Sequence, residues 1–393
     1  MHSGGHRSLS PVMTDPVAVW RELCDRLAEL GEHALGVAPD AAEQLEHLVD
    51  QATLWLAWAG LHDDPARPFF HRHNDLVSQW GGPNADNVYR HARIEPGRRY
   101  VLRGRMHSCE EFLLAVRAGF MHSPVWGTLA QVAASDLGIG PGDDFEIRIG
   151  GDEPGAIEIP DGAVMVSVRE YYFDWRPEEP ATFTIECLDP APVTVPSAEA
   201  QAARLDRAVA EFEASLEYWQ QYMDDHREKR IDNTYTASTV QLAQGLAAAR
   251  YEFCFWDLEP DQALVIESEA PAAKYWSFQL YRMATFELVD PYEAITSRNH
   301  VQTALSQDGK VRMVVSGSDP GVANWLDTRG RRNGLCTLRW FWPDDDSRPT
   351  VSTTTVPVDE VADLLAGEPT VDPGERAEEL AGRQAHLRWR FRV

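Results

Sequence analysis

The chain alternates apolar and polar residues with a period of two in many short runs bounded by turn residues, a pattern that few architectures accept. Phe145, Ile147 and Ile149 form one run, Val164, Val166 and Val168 a second, and Phe183, Ile185 and Cys187 a third. Later, Trp276, Phe278 and Leu280 alternate with Tyr275, Ser277, Gln279 and Tyr281, and Cys336, Leu338, Trp340 and Trp342 share one face. Strands of this kind bury one face and leave the other polar, as antiparallel sheets do, and many in series pack as sandwiches. The spacing predicts an α+β, mainly β fold: two antiparallel β-sandwich units with helical additions.

Helical spacing marks the remaining segments. Trp20, Leu23, Leu27 and Leu30, then Leu45, Leu48, Val49, Ala52 and Leu56, predict a helical hairpin within residues 1–66, broken at Pro39-Asp40. The first β unit is expected at 67–197. In it Glu95-Pro96-Gly97-Arg98 suits a type II turn joining strands 88–94 and 99–105 as a hairpin. Ser108-Cys109-Glu110-Glu111 reads as a capping box for a helix reaching Gly119, and Ser123-Pro124 as the start of another. A helical linker is expected at 198–258. Its long helix, 198–230, carries Leu205, Val209, Phe212, Leu216, Trp219 and Met223 at steps of four and three, a stripe suited to packing on the chain's own sheets, and a further helix covers 236–253. The second β unit is placed at 259–366, with Asp308-Gly309 turning a hairpin between 301–305 and 311–315. An arginine-rich helix, about 376–390, falls in the last segment, 367–393.

Composition narrows the function. With 36 Lys and Arg against 62 Asp and Glu, the net charge is −26, which excludes a general nucleic-acid binder. No apolar run reaches membrane length and the first twelve residues lack a signal-peptide core, so no membrane partner and a cytoplasmic location are expected; Met13 is a second candidate start. The five cysteines are odd in number and widely spaced, which suits reduced thiols. The sequence holds no G-x-S-x-G, H-E-x-x-H, P-loop or strand-following G-x-G-x-x-G, so the standard hydrolase, zinc protease, NTPase and dinucleotide readings fall. Of its three lysines only Lys274 is placed for Schiff-base chemistry, and it has no visible partner in the sequence.

One stretch carries a family pattern: Y-W-S-F-Q-L-Y at 275–281, Arg298, D-G-K at 308–310, A-N-W-L at 323–326 and L-R-W-F-W-P at 338–343. It resembles the bacterial family called domain of unknown function 1214. Upstream, W-G-G-P-N-A-D-N-V-Y at 80–89 is similar to the motif of a companion family, domain of unknown function 1254. The resemblance implies jelly-roll-like sandwiches and implies no reaction.

Four groups of residues are candidates for chemistry. Asn84, Asp86, Asn87 and Tyr89 cluster at a strand entrance, where Asp86 suits a base and Tyr89 an acid; the same residues also build turns. Arg90, Arg93, Arg98, Arg99, Arg103 and Arg105 suit either an oxyanion trap or a face paired with acidic neighbours. His71, His73 and Asp75 would share one strand face in a metal-ligand arrangement, but no further Glu and His completes a set, so no metal or cofactor is expected. Tyr275, Tyr281, Arg298, Asn324, Trp325 and Arg339 are the polar lining expected for a pocket in the second unit. Aspartate runs at 224–225 and 344–346 read as solvated ends. The expected function is a cytosolic enzyme acting on a small, largely apolar metabolite with a polar or anionic group, by metal-independent acid–base chemistry of lyase, isomerase or hydrolase type. The alternatives are a non-catalytic binder of a small molecule or carbohydrate and a homo-oligomeric assembly role.

Overall fold

The computed structural model describes residues 15–34, 41–189, 191–192, 195–237 and 249–392. Helices α1 (Pro16–Ala34) and α2 (Ala41–Trp55) come first, and α2 runs into a π-helical turn at Leu56–Leu61. The first β unit comprises β1 (Asn87–Arg93), β2 (Tyr100–Arg105), β3 (Glu111–Gly119), β4 (Gly127–Ala133), β5 (Asp144–Ile149), β6 (Met165–Tyr171) and β7 (Thr182–Cys187). Helix α3 (Ala198–Glu228) leads to β8 (Thr236–Ala237), β9 (Ala249–Asp257), β10 (Gln262–Glu269), β11 (Ala273–Tyr281), β12 (Ser297–Asn299), β13 (Lys310–Ser316), β14 (Trp325–Asp327), β15 (Asn333–Pro343) and β16 (Val351–Pro357). A short α4 (Val361–Leu364) and α5 (Pro373–Phe391) follow.

In the first sandwich, sheet β1-β6-β3-β4 faces sheet β5-β2-β7 across Val88, Leu102, Phe112, Val116, Ile147 and Val166. In the second, β14-β13-β10-β16 faces β12-β11-β15-β9-β8 across Trp256, Leu264, Ile266, Phe278, Met313 and Leu338. The pairings are antiparallel except β13 with β14. This is the mainly β, two-sandwich arrangement that the alternation predicts. Trp276, Phe278 and Leu280 point into the second core, and the odd-numbered row of β11 therefore points out of it, toward the first unit. There Tyr275 and Phe341 pack with Leu113 and Tyr171, so the sandwiches stack sheet against sheet.

A helical layer covers part of the same outer face of the first unit. Phe212 and Leu216 of α3 join Trp55, Trp58, Phe120 and Met165 in one apolar cluster. The stripe of α3 thus packs on its own chain, each large buried side chain contributing about 2–3 kcal/mol. No helix among the described residues is long and apolar enough to cross a membrane.

Five local expectations fail. Residues 111–119 form β3, not a helix: the strand is central, between β6 and β4, and an apolar run buried on both faces has no period to distinguish it from a buried helix. Ser123-Pro124 leads into a turn before β4 rather than into a helix. The Pro96-Gly97 turn forms, with Gly97 at φ +84°, but β1 pairs with β6 while β2 pairs with β5 and β7, so the turn carries the chain between layers. The helix expected at 236–253 is replaced by strands β8 and β9 at its ends, and residues 238–248 lie outside the described residues. The Asp308-Gly309 turn opens β13, with Gly309 N–H donating to the Ser306 carbonyl, but residues 301–305 form no strand.

Candidate functional site

The Pro83-Asn84-Ala85-Asp86 segment enters β1 as a turn, and the Asn84 carboxamide oxygen accepts from Asp86 N–H at 3.0 Å, the local bond that favours Asn there. This folds Asp86 inward until its side chain has no exposure. Its Oδ1 accepts from Trp175 Nε1 (2.7 Å) and Asn299 Nδ2 (2.8 Å), and its Oδ2 from the Tyr275 hydroxyl (2.5 Å). Gln279 Nε2 donates to Asn84 Oδ1 at 2.6 Å, and its Oε1 accepts from Ala85 N–H and the Tyr281 hydroxyl. Tyr281 also lies 2.7 Å from the Pro83 carbonyl. The outward row of β11 is therefore bonded to the entrance of β1 by a buried network joining the two units.

The positive charge beside Asp86 comes from α5. Arg390 donates to the Ala85 carbonyl at 2.6 Å, and the Arg383 and Arg390 guanidiniums stand 4.0 and 4.7 Å from the Trp175 ring centre. Burial lowers the pKa of both to about 10, against which the Asp86 carboxylate acts. Burial and the Asp86 carboxylate raise the Tyr275 phenol well above its usual range, so it stays a donor.

Tyr89 stands at the edge of this network. Its oxygen accepts from Asn84 N–H at 2.9 Å, its ring lies under the Arg169 guanidinium at 5.5 Å, and the side chain is half-buried. From the second unit comes Arg339, buried, donating to the Gly82 carbonyl at 3.2 Å and lying over the rings of Tyr251 (5.2 Å) and Tyr281 (5.8 Å). Burial disfavours its charge, but the phenols of Tyr281, Tyr251, Tyr89 and Tyr275 outweigh that and raise its pKa. Gly82 has φ +59°, and a Cβ there would lie 2.3 Å from the Phe286 ring, so the glycine is required for the backbone that holds Arg339. Among the described residues neither Arg169 nor Arg339 forms an ion pair with a carboxylate.

The strand register extends this face away from the second unit. Tyr89 lies opposite Arg169 and Leu113; His91 opposite Ser167 and Ala115; Arg93 opposite Met165 and Arg117. His73 packs on His91 with ring centres 4.3 Å apart, beside Trp55, Trp58 and Phe120. Burial, then the neighbouring histidines and Arg93, lowers the His73 pKa far below the usual range; burial, then Arg117 and Arg169, does the same to His91. Burial and Arg169 bring Arg117 down to about 9.

Of His71, His73 and Asp75, the two imidazoles come together with ring centres 5.0 Å apart, but the carboxylate does not join them as a ligand set. His71 exchanges backbone bonds with His91, and Asp75 turns away to accept from Val77 and Ser78 N–H. Among the described residues no group of three or more His, Cys, Asp or Glu is placed to hold a metal. The arginine group is paired throughout: Arg90 with Glu170, Arg93 with Asp63, Arg98 with Glu95, Arg99 with Asp189, Arg103 with Glu146 and Glu186, Arg105 with Asp144. Lys274 is bound to buried Glu111. Asn87 is buried at the start of β1, opposite Tyr171. Arg298 bonds Glu379 and the carbonyls of Trp325 and Gln302, Asn324 closes a turn on Ala304, and Trp325 donates to Ser316. These three are thus engaged away from Tyr89, while Tyr275, Tyr281 and Arg339 are brought to it. Sequence reading missed Arg117 and Arg169; the signal was a cation within each apolar strand, F-L-L-A-V-R-A-G and M-V-S-V-R-E-Y.

The fold is shared. An uncharacterized protein from Burkholderia cenocepacia is 24% identical, with a TM-score of 0.75 over 87% of this chain and 98% of its own. A protein from Vibrio parahaemolyticus is 12% identical, with a TM-score of 0.46 over 79% of this chain and 98% of its own. No curated protein matches the chain. The motifs from Tyr275 to Pro343 fall within one family match: the C-terminal region, residues 257–345, matches the model of the family described as protein of unknown function (DUF1214).

Proposed function

We propose that the chain binds a small, largely apolar molecule carrying an anionic group where Tyr89 and Arg169 of the first unit meet Arg339, Tyr251 and Tyr281 of the second. The observation that carries this reading is a pair of guanidiniums set among aromatic rings with no carboxylate partner among the described residues. Guanidinium forks recognise carboxylate and phosphate oxygens, and aromatic walls suit the apolar remainder. The reaction that fits is metal-independent acid–base chemistry of lyase, isomerase or hydrolase type, with Tyr89 as proton donor. Asp86, sealed from solvent, is assigned a positioning part: it fixes Tyr275, and the Asn84 segment beside it holds the Tyr89 oxygen. That burial also favours a second reading, binding without turnover, because the carboxylate expected to act as base has no access to a ligand.

Mass spectrometry of small molecules released on denaturing the purified protein, repeated on Arg339→Met and Arg169→Met, tests the proposal. An organic anion that both substitutions remove supports it; its full retention in both refutes it. Once the molecule is known, turnover unchanged in Tyr89→Phe would select the binding reading.

A further inference from the structure

Deep on the same sheet face, five polar atoms on four side chains have no hydrogen-bond partner among the described residues: Ser167 Oγ, Arg117 Nε, His91 Nδ1 and both ring nitrogens of His73. Their side chains are all more than nine-tenths buried, at 2%, 7%, 5% and 0% exposure. Buried polar groups are nearly always satisfied, so five together on adjacent positions call for an occupant. The register places them around one spot. Ser167 and Ala115, side by side on β6 and β3, form a floor of small side chains; His91 flanks it on β1, Arg169 and Arg117 stand at diagonal corners, and His73 and Phe120 lie over His91.

The charge of the spot decides the kind of occupant. An arginine side chain stays protonated in a protein, yet among the described residues Arg117 forms no ion pair with an acid, and the charged group acting on it is a second cation, Arg169. Among the described residues, the charged groups that act most strongly on His91 are Arg117, Arg169, His71 and Arg93, with His73 packed on its ring, and none of these is an acid. Asp63 is bound to Arg93, and Glu211 to the far nitrogen of His122. A buried cation without a counter-charge is among the costliest arrangements a fold can hold, and an anion removes that cost. A metal cation is disfavoured by the same field.

We propose that Ser167, Arg117 and His91 form a seat for a carboxylate, with the Ser167 hydroxyl and the guanidinium donating to its oxygens. The seat deepens the reading given above and rests on it for the identity of the bound molecule: the anionic group of that molecule is a carboxyl that reaches past Arg169 to the seat, and its apolar part lies along the face at Tyr89 toward Tyr251 and Tyr281 of the second unit. A free carboxylate such as formate shares the chemistry, and the test separates the two sources.

The probes are benzoate, formate and bromide, used on the full chain. Titration calorimetry is expected to show one benzoate per chain, weakened at least tenfold by Arg117→Met, severalfold by Ser167→Ala, and unchanged by Arg103→Met on the exposed face of β2. Bromide-soaked crystals should place an anomalous peak within hydrogen-bond distance of Ser167 Oγ. Near-ultraviolet circular dichroism checks folding, and Arg117→Met should raise the unfolding midpoint in anion-free buffer because it removes an unpaired buried charge. Binding of formate but not benzoate would support the seat and assign it to a free anion. Benzoate affinity equal in folded Arg117→Met and the parent, or no bromide at the spot, would overturn the seat. Loss of benzoate binding in Arg117→Met with no effect of Arg339→Met would uphold the seat and reject the reading at Arg339; the reverse would reject the seat alone.

Discussion

The Tyr275 hydroxyl, on the second sandwich, donates at 2.5 Å to the Asp86 carboxylate of the first, and neither side chain is exposed to solvent. Removing the donor in Tyr275→Phe leaves one oxygen of a buried carboxylate short of a partner, which costs about 1–3 kcal/mol. Asp86→Ala should cost more, about 3–5 kcal/mol, because Arg383 and Arg390 then lose the buried carboxylate they share, leaving Arg383 with Glu379 and Arg390 with Glu170 as the acids that act on them. Urea unfolding of both variants checks the order; equal midpoints for parent and Asp86→Ala would reject the network as a source of stability.

Gly82→Ala combines a left-handed backbone with a Cβ inside the Phe286 ring. The strain and overpacking together should cost about 2–4 kcal/mol. Because the Gly82 carbonyl receives Arg339, the substitution should also disturb ligand capture more than an equally destabilising change in the first core, such as Val88→Ala.

Acid should weaken the fold from pH 6.5 downward, above the range in which ordinary carboxylates titrate. Burial lowers His71 to about 4 and His386 to about 3, and lowers His73 and His91 well below 6.5, so the unfolded chain takes up protons first and stability from these groups is lost as pH falls through 6.5. Burial raises Glu110 to about 7 and Asp50 to about 6; these groups favour the fold at low pH, and that contribution declines as pH rises from the unfolded value toward the raised one. Four histidines outweigh two carboxyls, and between pH 7.5 and 5.5 the net loss should be on the order of 2–3 kcal/mol. Denaturant titrations at the two pH values would show it; unchanged stability would mean that the imidazoles are not buried as described.

Thiol reactivity gives a quick check of the fold. Cys24 is exposed, whereas Cys109, Cys254 and Cys336 are buried, and burial raises Cys336 to about 12 and the other two well above the usual range. A chromogenic disulfide reagent at pH 8 should label Cys24 rapidly and those three only after denaturation. Rapid native labelling of Cys254 or Cys336 would contradict the second core.

Local order was legible where one physical signal ruled. The alternation at Trp276, Phe278 and Leu280 gives β11 its two faces, and Asp86 and Tyr89 stand out because turn-forming residues lead directly into a strand. Residues 111–119 were misread because a central strand carries no alternation, and the apparent capping box had another cause: Glu111 accepts from Phe112 and Ser135 N–H and binds Lys274. The arginines divide on the same principle. Arg90 to Arg105 are conspicuous as a cluster, yet each finds an acid across a strand pair, loop or turn, a relation that depends on register and cannot be read along the chain. Arg117 and Arg169 look unremarkable singly, and only strand pairing through β6 puts them on one face.

The dependence of Asp86 on α5 orders events in time. Arg390 reaches Ala85 across about 300 residues of sequence, so during synthesis the first sandwich waits for nearly the whole second unit before its buried anion is balanced. An emerging first sandwich is thus held short of its final state until α5 docks. Loss of α5 should then unfasten both ends of the molecule in one step, with amide exchange at β1 and β11 rising together.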